Sequence, residues 1–458
     1  MSNSLDETVH HLYNSSAPTD VQRDSFTSGA VPVAVYGLGK MGLPLASVYA
    51  EVTGNVTGAD IDPTVVEGIN NGRCHVKREP GLPTLVDKLV VAESLEATTK
   101  PTEAAAAASV HVIIVPTPIT NNKQPDISIL ESVLIDIGAE LSSGDIVLIE
   151  CTVPPRTTAE TAVPILQERS GLEADEFGLA FCPERTSSGR ALEDIRGAYP
   201  KVVGGVDEES TRVAELIYTE INSKGVIRVS DATTAEAVKV FEGLYRDVNI
   251  GLANELATLT DEFGIDVNEA IDVANTQPYC NIHNPGPGVG GHCIPFYPYF
   301  VIEPFEGETQ LLETARAVND RMPAFTVEKL REELSAEGNS LSDASVLILG
   351  LTYRPGVEEI RASPSLDIAS ELTAAGADVY GVDPLLNDTS EFDLTQLDLS
   401  EVYSQQFDAV IMVTPHDDFE AINWTELSRT DGQLIVIDGR NTLDLVETDH
   451  RIYTIGSG

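Results

Sequence analysis

The sequence predicts an α/β protein of two doubly wound halves joined by a long central helix. Three observations carry this prediction. A strand, a glycine-rich turn, a helix and a second strand succeed one another between Val33 and Asp60. Helical periodicity then runs from Asp231 to Gly264. A second series of apolar strand patterns opens near Val346. The chain has 458 residues, the length of two or three domains. Its boundaries are expected at a polar tail 1–30, a first α/β half 31–229, a central region 230–335 and a second half 336–458.

The tail is rich in Ser, Thr, Asp and Asn and reads as loose. Val33–Tyr36 is a short buried strand pattern, and Gly37, Gly39 and Gly42 then form G-x-G-x-x-G ahead of a helical stretch to about Val52. Gly37 allows the tight turn, Gly39 lets backbone approach a pyrophosphate, and Gly42 lets helix and strand pack closely. The helix N-terminus then faces the phosphates. Leu38, Lys40 and Met41 fill the turn between them. A second strand from Asn55 ends at Asp60, 18 residues beyond Gly42, where a carboxylate accepts from ribose hydroxyls. That charge would repel a 2′-phosphate, so the cofactor is read as NAD and the half as a Rossmann-like domain.

Further parallel strands are expected in "VHVIIVPTP" (110–118), "DIVLIECTVPP" (145–155) and "GLAFCPER" (178–185), each ending in a functional loop. The stretch 231–264 reads as one helix, with apolar residues at Ala237, Phe241, Leu244, Tyr245, Val248, Leu252, Leu256 and Leu259. Ser230 or Asp231 caps its start and Gly264 its end. Lys239, Gly243 and Arg246 share another stripe, and the helix suits a hinge or a dimer seam. The second half repeats the strand patterns at 346–350, 378–382, 408–416 and 434–441 without the glycine fingerprint. It could hold another nucleotide.

Composition narrows the partners. There are 73 acidic and 28 basic residues, a net charge of −45. This argues against nucleic acid or an anionic membrane and points to a protein kept hydrated in high salt, in a halophilic cytoplasm. No apolar run spans a bilayer and no signal peptide is evident. The five cysteines, Cys74, Cys151, Cys182, Cys280 and Cys293, have neither metal-site spacing nor an even count, so neither a metal centre nor a disulfide framework is expected.

Cys293 lies in "PGPGVGGHCIPFYPYF" (285–300), a loop of turn residues with His292 beside it. It could be a nucleophile, a metal ligand or inert, inert being the usual state of a cysteine. A thiol beside a nicotinamide suggests aldehyde oxidation: the thiolate adds to the carbonyl, the adduct gives up hydride, and water releases the acid. Lys239 is a candidate base or charge stabiliser, its alternative being a solvated helix lysine.

The motifs "GLGKMGLP", "VPTP", "CPER", "YRDVNI…ANEL", "PGPGVGGHC", "RASP" and "DGRN" together resemble the UDP-glucose/GDP-mannose dehydrogenase family, from about Pro32 to Asn441. The resemblance is greatest to the branch acting on UDP-N-acetyl-D-mannosamine. It implies two Rossmann-like domains, a central helix that makes a homodimer, and oxidation of a sugar C6 hydroxyl to the carboxylate by two NAD⁺ through a cysteine thioester. By resemblance, Cys293 is the nucleophile, Lys239 the acid/base or oxyanion stabiliser, and Glu184 an aid to thioester hydrolysis. Thr117 and Thr152 would lie near NAD and the catalytic water. Arg185, Lys239, Arg246, Asn281, Gly290, Tyr353, Arg354 and Arg440 would hold the UDP-sugar, and Arg361 would reach NAD, across the dimer if need be.

The chain departs from the family at four places. Gly243 stands for an Asn, Tyr297 for an Asp, Gln277 and Tyr279 for a His and an Arg of the N-acetylmannosamine branch, and Lys40–Met41 for Tyr-Ile. UDP-glucose and UDP-N-acetylglucosamine are alternative substrates. A catalytically silent NAD- and UDP-sugar-binding protein is the alternative class. A simple hydroxyacid dehydrogenase leaves the second half, with Arg354, Arg361 and Arg440, unexplained.

Overall fold

A computed structural model describes residues 8–427, 432–445 and 448–458. Residues 1–7 of the expected tail lie outside the described residues. The chain forms two compact units, Met1–Phe241 with Tyr299–Glu306, and Glu242–Pro298 with Gly307–Gly458. This division falls inside the central helix.

The first unit is built on eight strands: β1 (Val33–Tyr36), β2 (Val56–Ala59), β3 (Leu95–Thr98), β4 (Val110–Ile113), β5 (Ile146–Ile149), β6 (Gly178–Phe181), β7 (Lys201–Gly205) and β8 (Val226–Arg228). Their order is β3-β2-β1-β4-β5-β6-β7-β8. β1, β4, β5 and β6 are buried along their whole length, which is why they read as continuous apolar runs. β6 and β7 pair antiparallel, Ala180 opposite Gly205, while the other pairs are parallel. The strand order reverses between β1 and β4, and in an open α/β sheet ligands bind outside the carboxyl ends of the strands at that point.

The described part of the tail is not loose. Leu12, Tyr13 and Phe26 are buried, and Thr19–Thr27 is a helix. The Tyr13 hydroxyl donates to Asp207 Oδ2 at 2.8 Å, and His11 Nδ1 lies 2.9 Å from Asp145 Oδ1. The polar composition hid three large apolar anchors spaced too irregularly to show a period.

The central helix runs from Ala232 to Thr258, followed by a separate turn, Thr260–Phe263. Asp231 Oδ1 caps its start by accepting from Thr234 N at 2.7 Å. The expected single helix to Gly264 is interrupted at Leu259. There the Thr258 and Thr260 hydroxyls take the carbonyls of Glu255 and Ala257, both at 2.8 Å, in competition with the backbone ladder. Gly264 closes the second piece in a left-handed conformation at φ +63°.

The second unit holds β9 (Ser345–Leu349), β10 (Asp378–Val382), β11 (Thr395–Gln396), β12 (Ala409–Met412), β13 (Ile435–Asp438) and β14 (Arg451–Thr454). The order β11-β10-β9-β12-β13-β14 is parallel throughout and repeats the arrangement of the first six strands of the other sheet. A long helix, Gln310–Ala336, packs on it with Met322, Val327, Leu330 and Leu334 in the core. This helix and the part of the central helix in this unit share a buried polar network. Arg316 pairs with Asp247, Asn319 Nδ2 donates to Asp247 Oδ1 at 2.9 Å, and Asn254 Nδ2 donates to Asn319 Oδ1 at 2.8 Å. Burial pushes the Asp247 carboxyl up to about 6 against the opposing pull of Arg316 and Asn319.

Removing one partner of a buried pair leaves an uncompensated charge. Arg316→Met is therefore expected to lower the unfolding free energy by about 3–5 kcal/mol, measured by urea denaturation.

Candidate active site

The glycine turn of the first unit follows β1 directly. Gly37 sits at φ +91°, and a Cβ there would lie 2.6 Å from the Ile114 carbonyl oxygen. A Cβ on Gly42 would overlap the Gly37 carbonyl, 2.8 Å from its carbon. A Cβ on Gly39, by contrast, would meet nothing within 4 Å. Two glycines thus serve the fold, while the third leaves backbone open to a ligand, as a bound pyrophosphate requires. Asp60 Oδ2 accepts from Leu38 N at 2.8 Å and Oδ1 from Asp62 N at 3.0 Å, so the carboxylate is fixed beside the turn. Each oxygen keeps a lone pair for a ribose hydroxyl. The residues present fit an NAD.

The loops after β4, β5 and β6 bring further expected residues to that unit. The Thr117 hydroxyl donates to the Thr152 carbonyl at 2.5 Å. Lys239, only 6% exposed, donates to the Glu184 backbone carbonyl, and its Nζ lies 3.2 Å from Glu184 Oε2. The Thr186 hydroxyl and N–H donate to Glu184 Oε1, and the same hydroxyl meets Met41 Sδ at 3.1 Å. Burial pushes the Glu184 carboxyl up, but the Lys239 ammonium and the Thr186 donors prevail and hold it below the usual range. Lys239 and Glu184 therefore stand as a charged pair, and Lys239 is not a solvated lysine. Arg185 Nη2 donates to the Pro200 carbonyl at 2.6 Å, and its guanidinium lies 5.0 Å from the Tyr199 ring centre.

Beneath these loops lies a group that sequence reasoning missed. Lys201 Nζ is 2.5 Å from Glu150 Oε2, the Tyr218 hydroxyl donates to Glu150, and all three line a pocket with Met41, Glu184 and Thr186. The signal was present: Glu150 is a carboxylate closing the apolar run of β5. Also unforeseen is Glu236, buried on the central helix. It accepts from Arg156 N and Thr158 N at 2.5 and 2.7 Å and so ties down the loop after β5.

The second unit assembles a different set. Cys293 is exposed, on a turn whose carbonyl accepts from Phe296 N and Tyr297 N at 3.0 and 2.9 Å. Gly290 and Gly291 lie under Tyr353. A Cβ on Gly290 would be 2.7 Å from Tyr353 Cβ, and one on Gly291 2.8 Å from its ring. Burial pushes the Tyr353 hydroxyl up. Arg354 and Arg246 pull it back, while Cys293 and Glu359 push it further. Tyr353 is thus the shared neighbour of Gly290, Cys293, Arg246 and Arg354. Arg440 donates to the Val413 carbonyl at 3.1 Å and lies against Gly286, and burial pushes its guanidinium down to about 10. Asn281 is bonded to Tyr245 and Asn249 of the central helix, its carbonyl accepting from Asn249 Nδ2 at 2.6 Å.

His292, adjacent to Cys293, is engaged elsewhere: Nε2 lies 2.8 Å from Glu359 Oε2, and Nδ1 3.4 Å from Arg361 Nη1. Arg361 also stacks on Phe296, 5.1 Å from the ring centre, and its carbonyl accepts from Gly291 N. This arginine, expected at NAD, lies here on the cysteine loop of its own unit. Among the described residues no cluster could hold a metal ion, and no helix is long and apolar enough to cross a membrane.

Three profiles of one family cover the chain. Its NAD-binding domain matches residues 31–222, its central domain 233–321 and its UDP-binding domain 347–445. The chain belongs to the UDP-glucose/GDP-mannose dehydrogenase family. It is an NAD-dependent nucleotide-sugar dehydrogenase. It is 36% identical to the UDP-N-acetyl-D-mannosamine dehydrogenase of Pyrococcus horikoshii over 90% of this chain and 96% of that one. It is 33% identical to the NDP-N-acetyl-D-galactosaminuronic acid dehydrogenase of Ralstonia nicotianae over 89% of this chain and 95% of that one. A solved structure of the Pyrococcus horikoshii UDP-D-ManNAc dehydrogenase matches at TM-score 0.84 and 34% identity, over 93% of this chain and 99% of that one.

In this dehydrogenase Gly39→Val should keep the unfolding temperature and weaken NAD binding roughly ten-fold or more, ~1.4 kcal/mol, read by titration calorimetry. Gly42→Ala should instead cost about 1–3 kcal/mol of stability. Burial pushes the Glu236 carboxyl from 4.5 to about 7, so folded chains keep a proton that unfolded chains lose. This group's stabilisation is complete below pH 4.5 and lost as pH rises through 7. The unfolding temperature should fall across that window more steeply in the parent than in Glu236→Gln, as followed by scanning fluorimetry.

Proposed function

We propose that this dehydrogenase oxidises the C6 hydroxyl of UDP-N-acetyl-D-mannosamine to the carboxylate through a thioester on Cys293. The observation that carries the reading is an exposed thiol whose loop is packed on Tyr353, with Arg354 and Arg246 acting on the same ring. Several relatives bearing that substrate in their names support the sugar. NAD, when bound, accepts hydride from C6, once from the alcohol and once from the aldehyde level. Gly37–Gly42 would hold its pyrophosphate and Asp60 its ribose, the carboxylate excluding a 2′-phosphate. Thr117 would position the cofactor and Thr152 the hydrolytic water.

The Cys293 thiolate adds to the aldehyde carbonyl, forming a C–S bond and an oxyanion. Lys239, paired with Glu184 at 3.2 Å, would serve as the acid/base or stabilise that oxyanion. After the second oxidation C6 is a thioester. Water adds to it, Glu184 takes one of the water's protons, the C–S bond breaks, and the second proton goes to the departing sulfur, leaving a carboxylate and the Cys293 thiol. Arg185, Arg246, Asn281, Gly290, Tyr353, Arg354 and Arg440 would bind the UDP-sugar, arginine forks suiting its diphosphate. Arg361 would reach NAD, within one chain or across the dimer.

We further propose a homodimer through the central helix, which exposes Phe241, Tyr245 and Leu252 at 60%, 51% and 48%. Five cysteines outside any disulfide suit the reducing cytoplasm. Gly243 and Tyr297 favour a second reading, a silent binding protein that kept both ligands and lost the reaction. Absorbance at 340 nm with NAD and a panel of UDP-sugars in molar KCl decides between them. About two NADH per sugar are expected, with Cys293→Ser stalling before the second oxidation. Bound ligands without NADH would establish the silent protein.

A further inference from the structure

Gly243 is buried in the middle of the central helix, where glycine costs about 1 kcal/mol relative to alanine. Its reason is on the same unit. A Cβ built there would overlap the Tyr297 ring and lie 2.8 Å from Tyr297 Cβ. Tyr297 is only 8% exposed, and its N–H donates at 2.9 Å to the carbonyl of Cys293, one turn earlier. The ring thus rests on the bare backbone of the helix, and the turn that carries the thiol hangs from the same residue. We infer that Gly243 and Tyr297 form one coupled seat that sets the position of the Cys293 thiol, with Tyr297 the positioning residue and Gly243 the space it needs.

This rests on Cys293 as the nucleophile and deepens that reading. The two family departures at 243 and 297 become a single exchange, in which an aromatic ring takes the volume of a helix side chain. A rigid two-χ side chain wedged on backbone fixes the turn sterically.

The test is a double-mutant cycle of Gly243→Ala and Tyr297→Ala, with Tyr297→Phe beside it. Two quantities are read: kcat and KM for the UDP-sugar, and the pH profile of Cys293 alkylation by iodoacetamide, resolved by peptide mass spectrometry. Gly243→Ala alone should lower kcat by up to about 100-fold, the cost of a misplaced reacting group, and alter the alkylation profile. In the Tyr297→Ala background the same substitution should change neither. Tyr297→Phe keeps the ring and should behave as the parent.

Equal effects of Gly243→Ala in both backgrounds would overturn the seat. So would coupling confined to thermal unfolding, or a Tyr297→Phe as impaired as Tyr297→Ala. If Gly243→Ala does not fold, Tyr297→Ala decides alone, and an unchanged alkylation profile with unchanged kcat overturns the proposal. A fully active Cys293→Ser would sink the nucleophile reading instead, while coupling in alkylation would still support the seat.

Discussion

The second unit depends on one buried ion pair. Arg316 and Asp247 are almost wholly shielded from solvent, so neither charge has water to fall back on. The pair survives because Asn319 and Asp320 satisfy more of the same groups and because Asn254 extends the network by one link. That last link reaches the chemistry. Asn254 Oδ1 accepts from Gly286 N at 2.9 Å, at the start of the loop that carries Cys293. The loop's far end is held by the Tyr297 ring, and its middle by Tyr353 and the Arg361 carbonyl. A segment with four glycines and four prolines thereby becomes a fixed platform.

The two sheets share a strand order and solve the same corner differently. In the first, Asp60 after β2 accepts a backbone N–H from the glycine turn, and Gly39 leaves the space before it open. In the second, Asp383 after β10 accepts from Leu351 N and Thr352 N, both at 2.8 Å, and from the Thr352 hydroxyl at 2.9 Å. His416 Nε2 closes the set at 3.1 Å. Burial pushes the Asp383 carboxyl up, yet His416 and the N–H donors hold it below the usual range. The acid that in one sheet is poised for a ribose is, in the other, engaged by the loops after β9 and β12. This gives a physical sense to the absent fingerprint of the second half, and to the match of its residues 347–445 to a UDP-binding domain and not to the NAD-binding one.

Much of this was legible in the sequence. Apolar runs announce most strands of the sheet interior, so β1, β2, β4, β5, β6, β10, β12 and β13 lie within the segments expected, and β9 starts just ahead of its own. Edge strands such as β3, with alternating burial, and β8, mostly exposed, carry no such signal. Asp231 was legible as a cap because capping is local. The break at Leu259 was not, since it turns on where two threonine hydroxyls point. Motifs named Cys293, Lys239 and Glu184. They could not show that His292 serves Glu359, or that Asp247 and Asn254, inside the quoted "YRDVNI…ANEL", are supports and not contacts. Those roles exist only through partners 32 to 72 residues away.

The ring on the helix glycine also makes the two positions mutually exclusive. With Tyr297 seated, any side chain at position 243 collides with it, whereas a glycine at 243 without the ring leaves only a gap. Single substitutions at the two positions are therefore unequal: a side chain at 243 forces the ring to move, whereas removal of the ring leaves a space over the helix.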